Sequence, residues 1–359
     1  MVRTSELKEK NVRKFSLHLS NARDIPYNPD EKTVIFSDLH MGNGTRRDDF
    51  VRNSALFHTV LSEYYQKGGY SLILNGDTEE LHKFTCRQVF HAWKKIYNLF
   101  DLFARDDKLI KTVGNHDARL IMDLKGNNPY KMDTVIRLTG LEYPVLIYHG
   151  HQVSALYEKF NDISRLGVRY FAMPLGIMNY SVAHDSRKRH YMEKRIYKYS
   201  RQEQIVSIIG HTHRPLFESL NMTQTLRFRI EVLLSRYSEA EKEEKLEIEG
   251  QIRRARTELI EWHSGKRKPD LQSGLYDEDD IPVPCMFNSG TVIGKRGITC
   301  LELTEGRIRL VHWFDNNTGD DDADKQNRNI TTLPGGHIHR LVLRQATMEY
   351  VMDSLRLLS

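Results

Sequence analysis

Cysteine is scarce in this chain, with 3 in 359 residues. Cys86, Cys285 and Cys300 stand far apart and form no C-x-x-C pair, which excludes a disulfide framework. Long apolar runs are missing too: no stretch approaches the roughly 18 residues that a membrane-spanning helix needs. The opening MVRTSELKEKNVRKF carries charge but neither an apolar core nor a cleavage site, so it does not read as a signal peptide. Repeats and extended low-complexity segments are also lacking. These absences point to a reduced, cytoplasmic protein.

What is present is a globular composition, 39% hydrophobic and 28% charged, with a formal net charge of +5. The excess is local. Residues 154–201 hold 10 Lys/Arg against 4 acids, more than the whole surplus. A concentrated positive segment implies an anionic partner at one place.

Apolar, β-rich runs recur along the chain: TVIFSD (33–38), SLILNGD (71–77), KLIKTVGN (108–115), PVLIYHG (144–150) and QIVSIIG (204–210). Stretches with helical spacing, notably 48–67 and 83–105, lie between them, and the alternation predicts a layered α/β domain. Near-continuous apolar strands suggest sheets covered on both faces. After 285, MFNSGTVI, GITCLEL and RIRLVHWF read as an antiparallel closing section, followed by a final helix over about 340–357. The expected organisation is an N-terminal extension (1–32), one domain (33–318), and a C-terminal acidic loop and helix (319–359). Helical insertions at 152–203 and 216–283 interrupt that domain. In the second, Ile248, Ile252, Ala255, Leu259 and Trp262 form a stripe at helical spacing, which packs on its own domain.

Each of the five apolar runs ends in metal-binding chemistry. Asp38-Leu39-His40, Gly76-Asp77, Asn115-His116-Asp117, His149-Gly150-His151 and His211-Thr212-His213 follow in order. Ligands of α/β sheets gather beyond the carboxyl ends of strands, so these tips are expected to converge. Residues i and i+2 of an extended segment face one side, which lets His211 and His213 reach one site. Carboxylate, imidazole and amide oxygens without sulfur suit Mn²⁺, Fe²⁺ or Zn²⁺ in a catalytic rather than a structural role.

These five clusters resemble, in order and spacing, the motifs of calcineurin-like metallophosphoesterases over residues 33–214, and Asn288-Ser289-Gly290-Thr291 resembles the turn that closes many members. The resemblance implies a two-sheet α/β/β/α sandwich. It also implies a dinuclear centre, with Asp38, His40, Asp77 and His213 on one metal and Asp77, Asn115, His149 and His211 on the other. Mn²⁺ leads, with Fe²⁺, Zn²⁺ and Mg²⁺ as the alternatives. Two such ions can acidify a shared water and clamp both oxygens of an in-line displacement on a phosphoester or pyrophosphate. His116 is similar to the family histidine beside the leaving group, and Glu80 stands where relatives carry an acid that orients it. His151 reads as a hydrogen-bonded loop histidine, and Asn43 and Gly44 as residues lining the site.

The 152–203 insertion resembles in length and character the lid of UDP-2,3-diacylglucosamine hydrolases, apolar first and then basic. That implies an anionic, UDP-sugar-lipid-like substrate and peripheral membrane contact through the lid. Two features depart from those hydrolases: they carry arginine where His116 stands, and they lack the 216–283 insertion and the C-terminal extension. The alternative is a nuclease or nucleotide phosphodiesterase, with the basic segment on nucleic-acid phosphates. A distant third reading is a non-catalytic scaffold. The sequence leaves the oligomeric state open.

Overall fold

A computed structural model describes residues 22–120, 130–153, 186–217, 242–263, 282–316 and 330–359, with positions 230, 233, 234 and 237. Two sheets organise the larger of its two compact units, which holds residues 1–217 and 284–357. In the larger sheet, β2 (Thr33–Phe36), β3 (Ser71–Asn75), β4 (Leu109–Thr112) and β5 (Met132–Asp133) run parallel. Their other edge continues antiparallel through β10 (Ile298–Thr304), β11 (Arg307–Asp315), β13 (Ile338–Thr347) and β12 (Ile330–Thr332). The smaller sheet is ordered β1 (Arg23–Pro26), β6 (Ile136–Thr139), β7 (Val145–Ile147), β8 (Val206–Ile209) and β9 (Met286–Asn288). The chain is thus a mixed α/β protein with two sheets, as the strand pattern predicts. In β2, β3, β7 and β8 nearly every residue is buried, which is why they read as unbroken apolar runs rather than alternating ones.

Helices cover the outer face of the larger sheet. The predicted 48–67 helix is a 3-10 turn (Asp49–Asn53), α1 (Ser54–Thr59) and a π-helical turn (Val60–Gln66) in series. The predicted 83–105 helix divides into α2 (Cys86–Ala92) and α3 (Lys94–Arg105). The break falls at Trp93, whose indole Nε1 donates to Asp48 Oδ2 at 3.0 Å. Phe36, Phe50, Phe57, Leu74, Phe100 and Trp313 belong to the apolar core on this side.

Three expectations change. Arg23–Pro26, in the stretch read as an extension, is a strand paired parallel with β6. Met286–Asn288 pairs parallel with β8 in the smaller sheet, so it is not part of an antiparallel closing section. The final helix does not begin near 340: Ile338–Thr347 is a strand along β11, and α6 spans Met348–Leu358. IHRLVLRQAT mixes leucines and basic residues in a way that mimics a helical stripe. Sheet pairing wins, and Thr347 ends the strand by capping α6, its side chain accepting from the Tyr350 N–H.

Of the first insertion, helix α4 (Ser186–Gln202) is described; residues 154–185 and the acidic run at 319–324 lie outside the described residues. The second unit comprises 218–283 and Leu358 and contains α5 (Lys242–His263). Ile248 and Ala255 are buried on α5, and Ile252 and Leu259 are half-buried. No described helix is long and apolar enough to cross a membrane.

Candidate metal centre

The ends of β2, β3, β4, β7 and β8 meet where the two sheets face each other. Gly76 O accepts from the Asp38 N–H at 3.2 Å, and the Asn75 side chain donates to Tyr148 O at 3.0 Å. At this junction the backbone is strained. Eight non-glycine residues among those described have a left-handed φ, and five of them are Asp38, His40, Asp77, His211 and His213. Such conformations cost roughly 1–3 kcal/mol each and persist only where the surroundings impose them. Two of the glycines serve close approach instead: a Cβ on Gly114 would lie 2.1 Å from Asp77 Oδ1, and one on Gly210 2.5 Å from Ser37 Oγ.

Three groups of three have mutually close ligand atoms among the described residues: Asp38–His40–His213, Asp77–His149–His211, and His40–Glu80–His116, which shares His40 with the first. In the first, His213 Nε2 lies 3.1 Å from Asp38 Oδ1 and 3.0 Å from His40 Nε2. In the second, His149 Nε2 lies 3.0 Å from Asp77 Oδ2. That same Asp77 oxygen is 3.9 Å from His40 Nε2 and 4.0 Å from His116 Nε2, so it stands between the groups. The Asn115 amide oxygen, Asp38 Oδ1 and His149 Nε2 are all buried and make no well-directed hydrogen bond, the last two standing only at ion-pair distance from His213 and Asp77. Buried polar atoms are normally satisfied, and three orphans in one cluster are what a cation's ligands look like without the cation. With oxygen and imidazole donors and no thiolate, the residues fit a pair of divalent ions.

Neighbouring groups fix the rings. The Nδ1 of His149 faces Asn75 O at 2.9 Å, and the Nδ1 of His40 faces Glu80 Oε2 at 3.1 Å, which turns both Nε2 atoms into the site. Glu80 also meets His116 Nδ1, at 2.8 Å through Oε1. It therefore holds two imidazoles, where the sequence pointed only to one. His151 is buried with its ring 5.5 Å from that of His149. Asn43 accepts from Thr45 Oγ1 at 2.7 Å in a local turn, and Gly44 is exposed.

Electrostatics match this geometry. Burial alone would raise Asp38, but the charges of His213 and His149 outweigh it and hold the carboxyl at about 2. Burial likewise opposes a charged His149, yet Asp77 and Asp38 bring it up to about 10. His211 goes the other way, to about 3, through burial and the charge of His149. Burial and then the charge of Glu79 push Asp117 up to about 7.

The contacts of several supports could not be foreseen from the sequence. Asp117 accepts from the N–H groups of Thr78 (2.8 Å) and Gly114 (2.7 Å) and so ties two motif loops together. The turn at 288–291 joins two others: Thr291 Oγ1 donates to Asp38 O at 2.9 Å, and Asn288 Nδ2 to Gly210 O at 3.0 Å. His82 packs its ring 4.2 Å from that of His116.

Residues 31–224 match the model of the calcineurin-like phosphoesterases, more than half of the chain. The chain belongs to that family. Among solved structures it is similar to a phosphoesterase from E. coli, at 12% identity over 81% of this chain and 97% of that one, with a TM-score of 0.31. A dimetal phosphatase from Danio rerio is similar at 10% identity, 79% and 96% coverage and a TM-score of 0.34. The vacuolar protein sorting 29 of Cryptosporidium parvum is similar at 9% identity, 89% and 100% coverage and 0.34. No curated protein matches the chain. As a calcineurin-like phosphoesterase, the chain is a metal-dependent phosphoester hydrolase, and its donor clusters suit a dimetal centre.

Proposed function

We propose that the chain hydrolyses a phosphoester or pyrophosphate bond with two divalent cations, Mn²⁺ first among them. Asp38, His40 and His213 would hold one, and Asn115, His149 and His211 the other, with Asp77 shared. The observation that carries this is the set of orphaned buried donors, Asp38 Oδ1, Asn115 Oδ1 and His149 Nε2, gathered at the strand ends. When bound, the cations would supply positive charge for the phosphate oxygens and acidify an attacking water.

The remaining work falls to the protein. His116 is only partly covered, its side chain 21% exposed, so a substrate's leaving group can reach it. Burial opposes its charge, but Asp77 and Glu80 raise it above the ordinary imidazole range. It is placed to donate a proton to the departing oxygen. Glu80 fixes the ring by accepting from its Nδ1, leaving Nε2 to face the substrate.

For the substrate we favour a UDP-sugar-lipid-like molecule, whose diphosphate would meet the basic side of the 152–203 insertion. The support is Lys194, Arg195, Lys198 and Arg201 along one described helix, following an apolar stretch in sequence. The same lysines and arginines favour a nuclease as the second reading, because a polyanion's phosphates need no apolar contact.

The test is turnover by the purified full chain with Mn²⁺ on bis-p-nitrophenyl phosphate, p-nitrophenyl phosphate, single-stranded DNA, a cyclic nucleotide and a UDP-acyl-sugar. At least one is turned over, and Asp77→Ala abolishes it. Full activity in Asp77→Ala would overturn the two-metal reading. Preference for DNA over the UDP-acyl-sugar would replace the first substrate by the second.

A further inference from the structure

The loop His211-Thr212-His213 holds two left-handed residues, at φ 66° and 55°, with Thr212 between them. From the sequence Thr212 is only a spacer. In the structure it is fully buried, and the loop is held through it. Its Oγ1 donates to Glu193 Oε1 at 2.8 Å and accepts from Asn288 Nδ2 at 2.9 Å. Arg214, on the other side of His213, reaches the same carboxylate: Nε lies 3.3 Å from Oε1, and Nη2 donates to Oε2. Glu193 therefore grips the chain on both sides of His213.

The candidate ligand histidines differ in what orients them. His40 and His149 are each fixed through Nδ1, by Glu80 and by the Asn75 carbonyl. For His213 the hydrogen-bond and ion-pair partners among the described residues all meet Nε2, the nitrogen that faces Asp38 and His40. Its ring direction must then come from its backbone, and the backbone is what Glu193 holds. Glu193 itself has no solvent exposure, and Arg214 beside it offsets the burial of its charge. It is carried on α4, whose Met192, Ile196 and Tyr197 are buried around it. That helix closes the first insertion.

We infer that Glu193 is a positioning residue that sets His213 for its metal, so that the insertion helix takes part in building the centre as well as flanking it. This rests on the dinuclear reading. A rigid brace of this kind acts on affinity: loss of a partner that orients a ligand typically weakens metal binding about 10–100-fold.

The test is calorimetric titration of Mn²⁺ into the metal-free full chain, with thermal melting of the same samples. Wild type takes up two ions. Glu193→Gln, which keeps the shape but removes the charge facing Arg214, weakens one binding step at least about tenfold and leaves the other unchanged. Thr212→Val does the same with the Glu193–Arg214 pair left in place, and so answers the question should Glu193→Gln fold poorly. The double variant is no worse than the more severe single one, because both cut the same brace. Met192→Ala, a packing change one residue away, lowers the melting temperature without altering either step. Wild-type affinity at both steps in Glu193→Gln and Thr212→Val overturns the brace alone. Equal weakening by Met192→Ala overturns it as well, reducing Glu193 to a packing residue. A wild-type chain that takes up no Mn²⁺ overturns the dinuclear reading together with it.

Discussion

Two buried polar clusters lie in the same fold and make opposite use of burial. At one, on the larger sheet, Glu302 accepts from Arg340 Nε at 3.1 Å and from the Tyr65 hydroxyl at 2.8 Å. Trp313 Nε1 donates to that hydroxyl at 2.8 Å. None of these residues has a left-handed backbone, and none of their polar atoms is left orphaned. At the strand ends, Asp38, Asn115 and His149 keep orphaned atoms, and five residues sit in left-handed backbone. Polarity and burial therefore do not mark a site. Unsatisfied atoms gathered beside strained backbone do; either feature alone also occurs elsewhere, as at Tyr27 and Asp107.

The contrast can be broken in three ways. The largest effect is expected from His116→Gln, which removes the proton donor and keeps the bulk. Its kcat with Mn²⁺ falls by about 10²–10⁴-fold while both Mn²⁺ affinities stay as in wild type. A wild-type kcat would take His116 out of the chemistry. Next, Glu302→Ala leaves Arg340 buried without its counter-charge and costs about 3–5 kcal/mol in urea unfolding. Its Mn²⁺ stoichiometry does not change; a lost ion would show that the two clusters are not independent. The smallest effect is that of the metal itself on stability. Mn²⁺ at a hundredfold excess over Kd raises the unfolding free energy of the EDTA-treated wild type by about 2.7 kcal/mol per site. Asp77→Ala gains less, and an equal gain would place the ions elsewhere.

The candidate site was largely legible because its two signals coincide. TVIFSD and SLILNGD are buried on both faces, so they read as strands, and their last residues carry chemistry that a turn alone does not need. Regions without such a coincidence were misjudged. Ile338–Thr347 spreads leucines and basic residues at spacings that suit either period, and only its pairing with Arg307–Asp315 selects the strand. Arg23–Pro26 is too short to show a period. Glu193 was counted among the acids of a basic segment, because nothing local in RKRHYMEKRIY foretells a hydrogen bond to Thr212, 19 residues on. Left-handed φ at Asp38 or His213 is equally silent in sequence: aspartate and histidine adopt it more readily than most residues, but nothing local marks which of them do.

The order in which the chain supplies its donors has a consequence for biosynthesis. Asp38, His40, Asp77 and Asn115 leave the ribosome early on strands of the larger sheet, while His149, His211 and His213 follow on the smaller one. His40 and His213, 3.0 Å apart when folded, are 173 residues apart in sequence, and the turn that buttresses both loops begins only at Asn288. A nascent chain therefore carries only part of the candidate donor set until His213 has emerged. The candidate donor set becomes complete only when the two sheets have docked, so cations held by all seven donors would be captured late, as a read-out of finished folding.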